Sequence, residues 1–149
     1  MNLSALATEL AKPEYASMSD QEAADAINAK TVTVRRLVDT WRIKQYAIEN
    51  GFWGKVRLAA ENPAKDQVER ELCIGLLDWV DDRGGNIKTV DMDLTSVQTM
   101  LGGLVHFGYI TETHAGELAA MASVTVLWTQ NDGIGEVGIG FVRAARSMI

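Results

Sequence analysis

The feature that most constrains this fold is the frequent recurrence of residues that begin or end helices. Pro13, the Asn62-Pro63 pair and Gly108 separate amphipathic segments, and Ser19 and Thr111 stand where helix caps are expected. Such interruptions, repeated along 149 residues, favour many short helices over a few long ones. No window approaches the roughly 18 uninterrupted apolar residues of a membrane span. We therefore expect an all-α protein of about six to eight short helices.

Local signals place the first half of these helices. Leu3, Leu6 and Leu10 predict a helix over residues 3–11 that ends before Pro13. Ser19 and Glu22 have the spacing of a capping box, which predicts a helix over residues 19–29. For the next segment we expect a turn in which Thr33 caps a helix that ends at Asn50, before Gly51. Its predicted buried stripe is Val34, Leu37, Val38, Trp41 and Ile48.

The helices of the second half of the chain are predicted from the same kinds of signals. A helix is expected over residues 52–61, and another from Pro63 to the Gly84-Gly85 pair. Further helices are expected over residues 94–106, over residues 111–122, and over residues 141–147 after a glycine-rich loop. Residues 124–128 are β-branched and aromatic, and their periodicity fits a strand or a helix equally well.

The length of the chain fits one compact domain over residues 1–149. Within it, the predicted helix over residues 19–29 offers little to bury beyond Ala23, Ala24 and Ile27. An apolar area this small cannot offset the entropy lost when the segment is ordered. We therefore expect residues 1–30 to form a helical docking arm and residues 31–149 to form the core.

Three motifs resemble functional sites but lack the residues that their chemistry needs. The stretch from Gly133 to Gly138 matches a dinucleotide fingerprint by its letters, yet too little chain follows for a βαβ unit. Asp91 and Asp93 open like a calcium loop without its glycine and closing glutamate, so we expect them to cap a helix. Cys73 lies between apolar residues and is expected to be buried. The sequence predicts no catalytic residue, cofactor or metal site, and hence not an enzyme.

The net charge of −6 hides a basic segment over residues 30–58, with seven cationic side chains against Asp39 and Glu49. Aromatic residues alternate with these cations, an arrangement that nucleic-acid-binding segments also show. Three interpretations stay open: a surface that docks acidic protein, a surface that contacts phosphates, and a solvated face that pairs with acidic residues of the same chain or of another subunit. The candidate interaction surface comprises Arg35, Arg36, Arg42, Lys44, Trp53, Lys55 and Arg57.

Two stretches resemble a family of small tailed-bacteriophage proteins that are encoded among virion structure and assembly genes. They are the opening, residues 1–6, 9–10 and 15–28, and the ending, residues 133–137 with Gly140, Val142, Ala145 and Arg146. The resemblance implies a non-enzymatic structural or adaptor protein of the virion, present in the host cytoplasm during assembly. Its partners would be other phage structural proteins or further copies of itself. A nucleic-acid-binding accessory protein is the alternative.

Overall fold

The computed structural model describes residues 1–80 and 87–149. These residues are mostly helical, which confirms the expected predominance of helix. The helices are α1 (Leu3–Leu10), α2 (Asp20–Ala29), α3 (Thr40–Glu49), α4 (Trp53–Glu61), α5 (Gln67–Val80), α6 (Thr95–His106), α7 (Glu112–Ala120), α8 (Trp128–Asn131) and α9 (Ile139–Arg146), with a short 3-10 turn at Pro13–Tyr15.

Short strands make the purely all-α prediction wrong. They are β1 (Thr31–Arg35), β2 (Val38–Asp39), β3 (Thr89–Val90) and β4 (Ser123–Leu127). β1 pairs with β4, and β2 pairs with β3 in antiparallel register, with Val38 opposite Val90. In β1 and β4, exposed residues alternate with half-buried valines, the period expected of a strand with one covered face.

These strands also correct two expectations about the helices. The segment from Thr31 to Arg35 is a strand, so Thr33 caps no helix and α3 begins only at Thr40. The ambiguous residues 124–127 belong to β4, and Trp128 begins α8. In both places the partner strand lies about 90 residues away in sequence, and local periodicity does not report such a partner.

The chain divides into two compact units, and it passes from one to the other within β1 and β4. The terminal unit comprises Met1–Val34 and Thr125–Ile149, and the central unit comprises Arg35–Val124. The single domain expected over residues 1–149 stays a prediction.

The terminal unit has an apolar core of its own. Leu6, Ile27 and Val142 are fully buried there, because α1 and α2 both pack against α9. The carboxylate of Asp20 accepts hydrogen bonds from Arg143 at 2.9 Å and from Arg146 at 2.6 Å. Residues 1–30, expected as an arm, thus contribute to this core. Their docking onto a partner stays a prediction.

In the central unit, α5 packs against α3, α4 and α6 around a second apolar core. Gly51 and Gly108 follow α3 and α6 with φ of 76° and 79°, so both take the left-handed conformation that ends a helix. The expected start of α5 at Pro63 is wrong, because the helix begins at Gln67. The Asp66 carboxylate, just before this start, accepts a hydrogen bond from the Val68 N–H. Its predicted end, Gly84 and Gly85, lies outside the described residues.

Candidate interaction surface

The basic segment, residues 30–58, folds into β1, β2, α3 and the first part of α4. All seven candidate residues belong to the central unit. Their surroundings differ, however: Arg35, Lys44 and Trp53 contact other residues of the unit, whereas the other four are exposed.

Arg35 is held by a network at the end of β1. Its guanidinium forms an ion pair with Asp93 at 2.7 Å, and it donates to the Ala119 carbonyl at 3.0 Å and to the Ser123 hydroxyl at 2.8 Å. The hydrogen bond from Arg35 keeps the pKa of Asp93 below its ordinary value of 3.8. The expectation that Asp91 and Asp93 cap a helix is therefore wrong: Asp93 binds Arg35, Asp91 accepts from the Asp93 N–H, and the N-cap position of α6 is Leu94, without a side-chain cap.

Trp53 lies at the start of α4 in the core of the central unit, where it is only 9% exposed. The Lys44 ammonium lies 5.2 Å from the centre of its ring, within the range of a cation–π contact. The Trp53 ring therefore stabilises the fold and the position of Lys44, and it offers no open face on which a base could stack.

The remaining four candidates form the accessible part of the predicted surface. They are Arg36, Arg42, Lys55 and Arg57, all exposed. Within residues 1–80 and 87–149, the structure gives none of the four an acidic partner. Their charges are therefore available to a ligand or to a partner protein.

Trp41 and Ile48 lie on the exposed side of α3, contrary to the predicted buried stripe. Trp41 is 61% exposed and Ile48 is 55% exposed, while Ile43 and Ala47 are buried on the other side of the helix. Trp41, Gln45 and Ile48 are four and three residues apart, so they share one side of α3. We call these three residues, with the neighbouring Arg42, the α3 face.

Leu37, which also belonged to the predicted stripe, is 61% exposed in the connection between β1 and β2. Val38 is buried as expected. Because the true helix begins only at Thr40, the buried positions are set by α3 alone and fall on Ile43 and Ala47. The predicted helix began six residues too early, so its apolar stripe included residues that lie outside α3. The stripe was therefore assigned to the exposed side of α3.

A groove of about 330 Å³ borders α4, and no sequence motif indicates it. Lys55, Leu58 and Asn62 line one side, Lys65 follows from the connection before α5 and Glu69 from the first turn of α5, and Phe107–Tyr109 close the groove after α6. Only Lys55 among these was a candidate residue. Since Phe107 follows Glu69 by 38 residues in sequence, no local motif could have brought the lining residues together.

The rejected motifs have structural roles. Gly133 and Gly135 take positive φ values of 66° and 76° in the turn before α9. Cys73 is fully buried, and desolvation raises the pKa of its thiol to about 11. Elsewhere in the central unit, His114 and Thr111 together cap α7. In the part of the chain that the structure describes, no three His, Cys, Asp or Glu side chains are grouped to hold a metal ion.

None of the helices within residues 1–80 and 87–149 is both long and apolar enough to cross a membrane. No protein-family model, curated protein or solved structure matches the chain.

Proposed function

We propose that this chain is a non-enzymatic structural or adaptor protein of a bacteriophage particle and acts through protein–protein contacts. The main support for the proposal is the exposure of the α3 face, where Trp41 is 61% exposed and Ile48, on the same side of the helix, is also exposed. A partner that covers this tryptophan removes its apolar area from water, which favours association.

The composition of the α3 face is typical of a protein interface. Tryptophan and arginine are the residues most enriched among those that carry binding energy, and Trp41 and Arg42 are neighbours here. Gln45 lies between Trp41 and Ile48, and its amide donates to Glu49 at 2.8 Å. Large apolar side chains beside an arginine on an exposed helix face fit a protein partner better than a small molecule, which needs a concave site.

The resemblance of the two chain ends to phage assembly proteins supplies the biological setting. The partners on this proposal are other structural proteins of the particle or further copies of the chain. The chain would act in the virion, and in the host cytoplasm while the particle is assembled.

Quantitative mass spectrometry of purified particles tests the proposal. We expect the chain to remain with particles through a density gradient, at a fixed ratio to the major structural proteins. Its presence in the lysate but not in the purified particles would contradict a virion role. Detection of a contaminating cytoplasmic host protein at a similar level would show that the purification is inadequate, and the gradient is then repeated until that protein is lost.

The alternative is a nucleic-acid-binding accessory protein. The observation in its favour is the set of four exposed cations without a described acidic partner: Arg36, Arg42, Lys55 and Arg57. Against it, Trp53 is buried and Arg35 is bound to Asp93, which leaves fewer stacking and phosphate contacts than the sequence predicted.

Salt dependence separates the two functions. Four phosphate contacts give a slope of roughly −3 to −4 in a plot of log binding constant against log salt. If the chain acts through protein contacts, binding to duplex and single-stranded DNA is weak and disappears at physiological salt. Sub-micromolar binding there, abolished when the four cations are replaced by glutamine, would establish the alternative.

A further inference from the structure

We infer that the groove beside α4 binds an acidic peptide segment that carries an apolar side chain next to its carboxylates. The groove has a volume of about 330 Å³ and lies entirely within the central unit. It is distinct from the α3 face, because its lining comes from α4, the connection to α5, the first turn of α5 and the turn after α6. The inference rests on the proposed function only in expecting a protein ligand.

The polar groups left free in the groove are hydrogen-bond donors. The Lys55 ammonium is exposed and has no acidic partner among the described residues. Asn62 uses its side-chain oxygen to accept from the Ala64 N–H at 3.0 Å, which leaves its NH₂ group to donate. The Lys65 Nζ is 3.7 Å from Glu69 Oε1, so this ion pair is loose and the ammonium can also bind an anion of the ligand.

Among the described residues, one carboxylate lines the groove, that of Glu69, and it is already engaged. Its side chain is 14% exposed, and it accepts a hydrogen bond from the Tyr109 hydroxyl in addition to its contact with Lys65. Burial, followed by the hydrogen bond to Glu69, raises the pKa of Tyr109, so this hydroxyl remains a donor to Glu69 throughout the physiological pH range. The free charge that a ligand meets is therefore positive.

An apolar side chain of the ligand has a place beside these cations. Leu58 is 74% exposed and lines the groove together with the half-buried Phe107. The volume is near the lower limit for a small-molecule pocket of about 300 Å³ and suits one or two side chains. An apolar anchor flanked by carboxylates matches both the exposed leucine and the two ammonium groups.

The aromatic rings in the groove favour a peptide over a nucleic acid. The Phe107 ring packs edge-on against His106, with centroids 5.1 Å apart, and the Tyr109 hydroxyl is fixed by Glu69. Both residues are only half-exposed. Single-stranded nucleic acids gain affinity by stacking bases on open ring faces, whereas the most exposed apolar residue here is the aliphatic Leu58.

Calorimetry with two blocked hexapeptides tests the inference on the full chain. The probe has the sequence DELFDE, and the control peptide KKLFKK has the opposite charge around the same apolar pair. We expect only DELFDE to bind. Lys55→Glu should weaken this binding at least about tenfold, because it reverses a charge at the contact. Arg57→Glu makes the same change on an exposed site of α4 outside the groove lining and should have less than about a twofold effect.

Several results would overturn the inference. They are the absence of DELFDE binding, equal binding of KKLFKK, an equal loss in Arg57→Glu, and displacement of DELFDE by a tighter-binding oligothymidylate. Circular dichroism checks that each variant is folded. If Lys55→Glu does not fold, Lys55→Gln replaces it, with Arg57→Gln as its control, and an unchanged affinity in Lys55→Gln also contradicts the inference. Failure of peptide binding leaves the α3 face and its particle test untouched, so the two proposals fail separately.

Discussion

The buried carboxylate of Glu9 gives the sharpest prediction about the terminal unit. It is 5% exposed and accepts hydrogen bonds from Lys12 at 2.6 Å, from the Tyr15 hydroxyl at 3.0 Å, and from Lys30. The Lys30 ammonium also lies 5.7 Å from the centre of the Trp128 ring. Glu9 therefore joins α1 to residues on both sides of α2 and, through Lys30, to α8.

Glu9→Gln preserves the shape of the side chain but removes the charge that both lysines contact. A hydrogen bond to a charged group contributes roughly 1.5–3 kcal/mol, but the contact with Lys12 counts for less because that side chain is 48% exposed. The Lys30 contact is more buried, at 24% exposure, and carries most of the effect. We expect the free energy of unfolding to fall by about 2 kcal/mol at neutral pH.

The dependence on pH has a defined sign. Burial alone would raise the pKa of Glu9, but the hydrogen bonds from Lys12, Lys30 and Tyr15 outweigh it and hold the pKa below the ordinary 4.5. A depressed carboxyl pKa stabilises the folded state above the unfolded-state pKa, and this contribution is lost as the pH falls through the folded-state pKa. The difference between the native chain and Glu9→Gln should therefore be complete at neutral pH and disappear in acid.

Urea unfolding, combined with hydrogen exchange of peptides from Met1–Val34 and Thr125–Ile149, measures this effect. Glu14→Gln is the control, because it makes the same charge change at an exposed position of the same unit and should cost less than about 0.5 kcal/mol. Equal free energies of unfolding for Glu9→Gln and the native chain would refute the reasoning. So would a difference between them that stays the same as the pH is lowered.

Three further predictions concern the central unit. Leu104 is fully buried, so Leu104→Ala should cost about 2–5 kcal/mol in urea unfolding, and a loss below about 1 kcal/mol would contradict its place in the core. Gly51→Ala should lower the free energy of unfolding by about 1 kcal/mol, because φ at Gly51 is +76°. Gly54→Ala should raise it by up to about 1 kcal/mol, because Gly54 lies in α4 and an added Cβ meets open space. A change of the same sign in both variants would contradict these backbone conformations. Cys73 is buried with a thiol pKa of about 11, so at pH near 8 a thiol reagent should label it only in urea, and rapid labelling of the folded chain would refute its burial.

The features predicted correctly from the sequence are those determined by neighbouring residues. Ser19 and Glu22 form the expected capping box, with the Ser19 N–H donating to the Glu22 carboxylate at 2.8 Å. Gly51 and Gly108 end their helices as expected, and Cys73 is buried. Each of these outcomes depends on a few consecutive residues or on a single helical turn, so the local sequence contains enough information to predict it.

The features that were missed depend on residues far away in sequence. β1 forms because β4 pairs with it, and once β1 and β2 occupy residues 31–39, α3 starts late and Trp41 becomes exposed. The same limit applies to the candidate surface. The sequence identified Arg35 and Trp53 as basic and aromatic, but only the fold places Asp93 against the first and the core around the second. The groove beside α4 needs three separate segments and has no local signature.

The measurement that tests the central claim most directly is the amount of Trp41→Ala incorporated into particles, compared with the native chain. Val68→Ala is the control, since Val68 is a similarly exposed apolar residue, 58% exposed, on α5 rather than on the α3 face. With equal expression and equal thermal stability, we expect Trp41→Ala to be depleted at least about tenfold from purified particles, as for an interface residue that carries much of the binding energy, and Val68→Ala to be incorporated normally. Normal incorporation of Trp41→Ala would contradict the claim that the α3 face holds this protein in a particle.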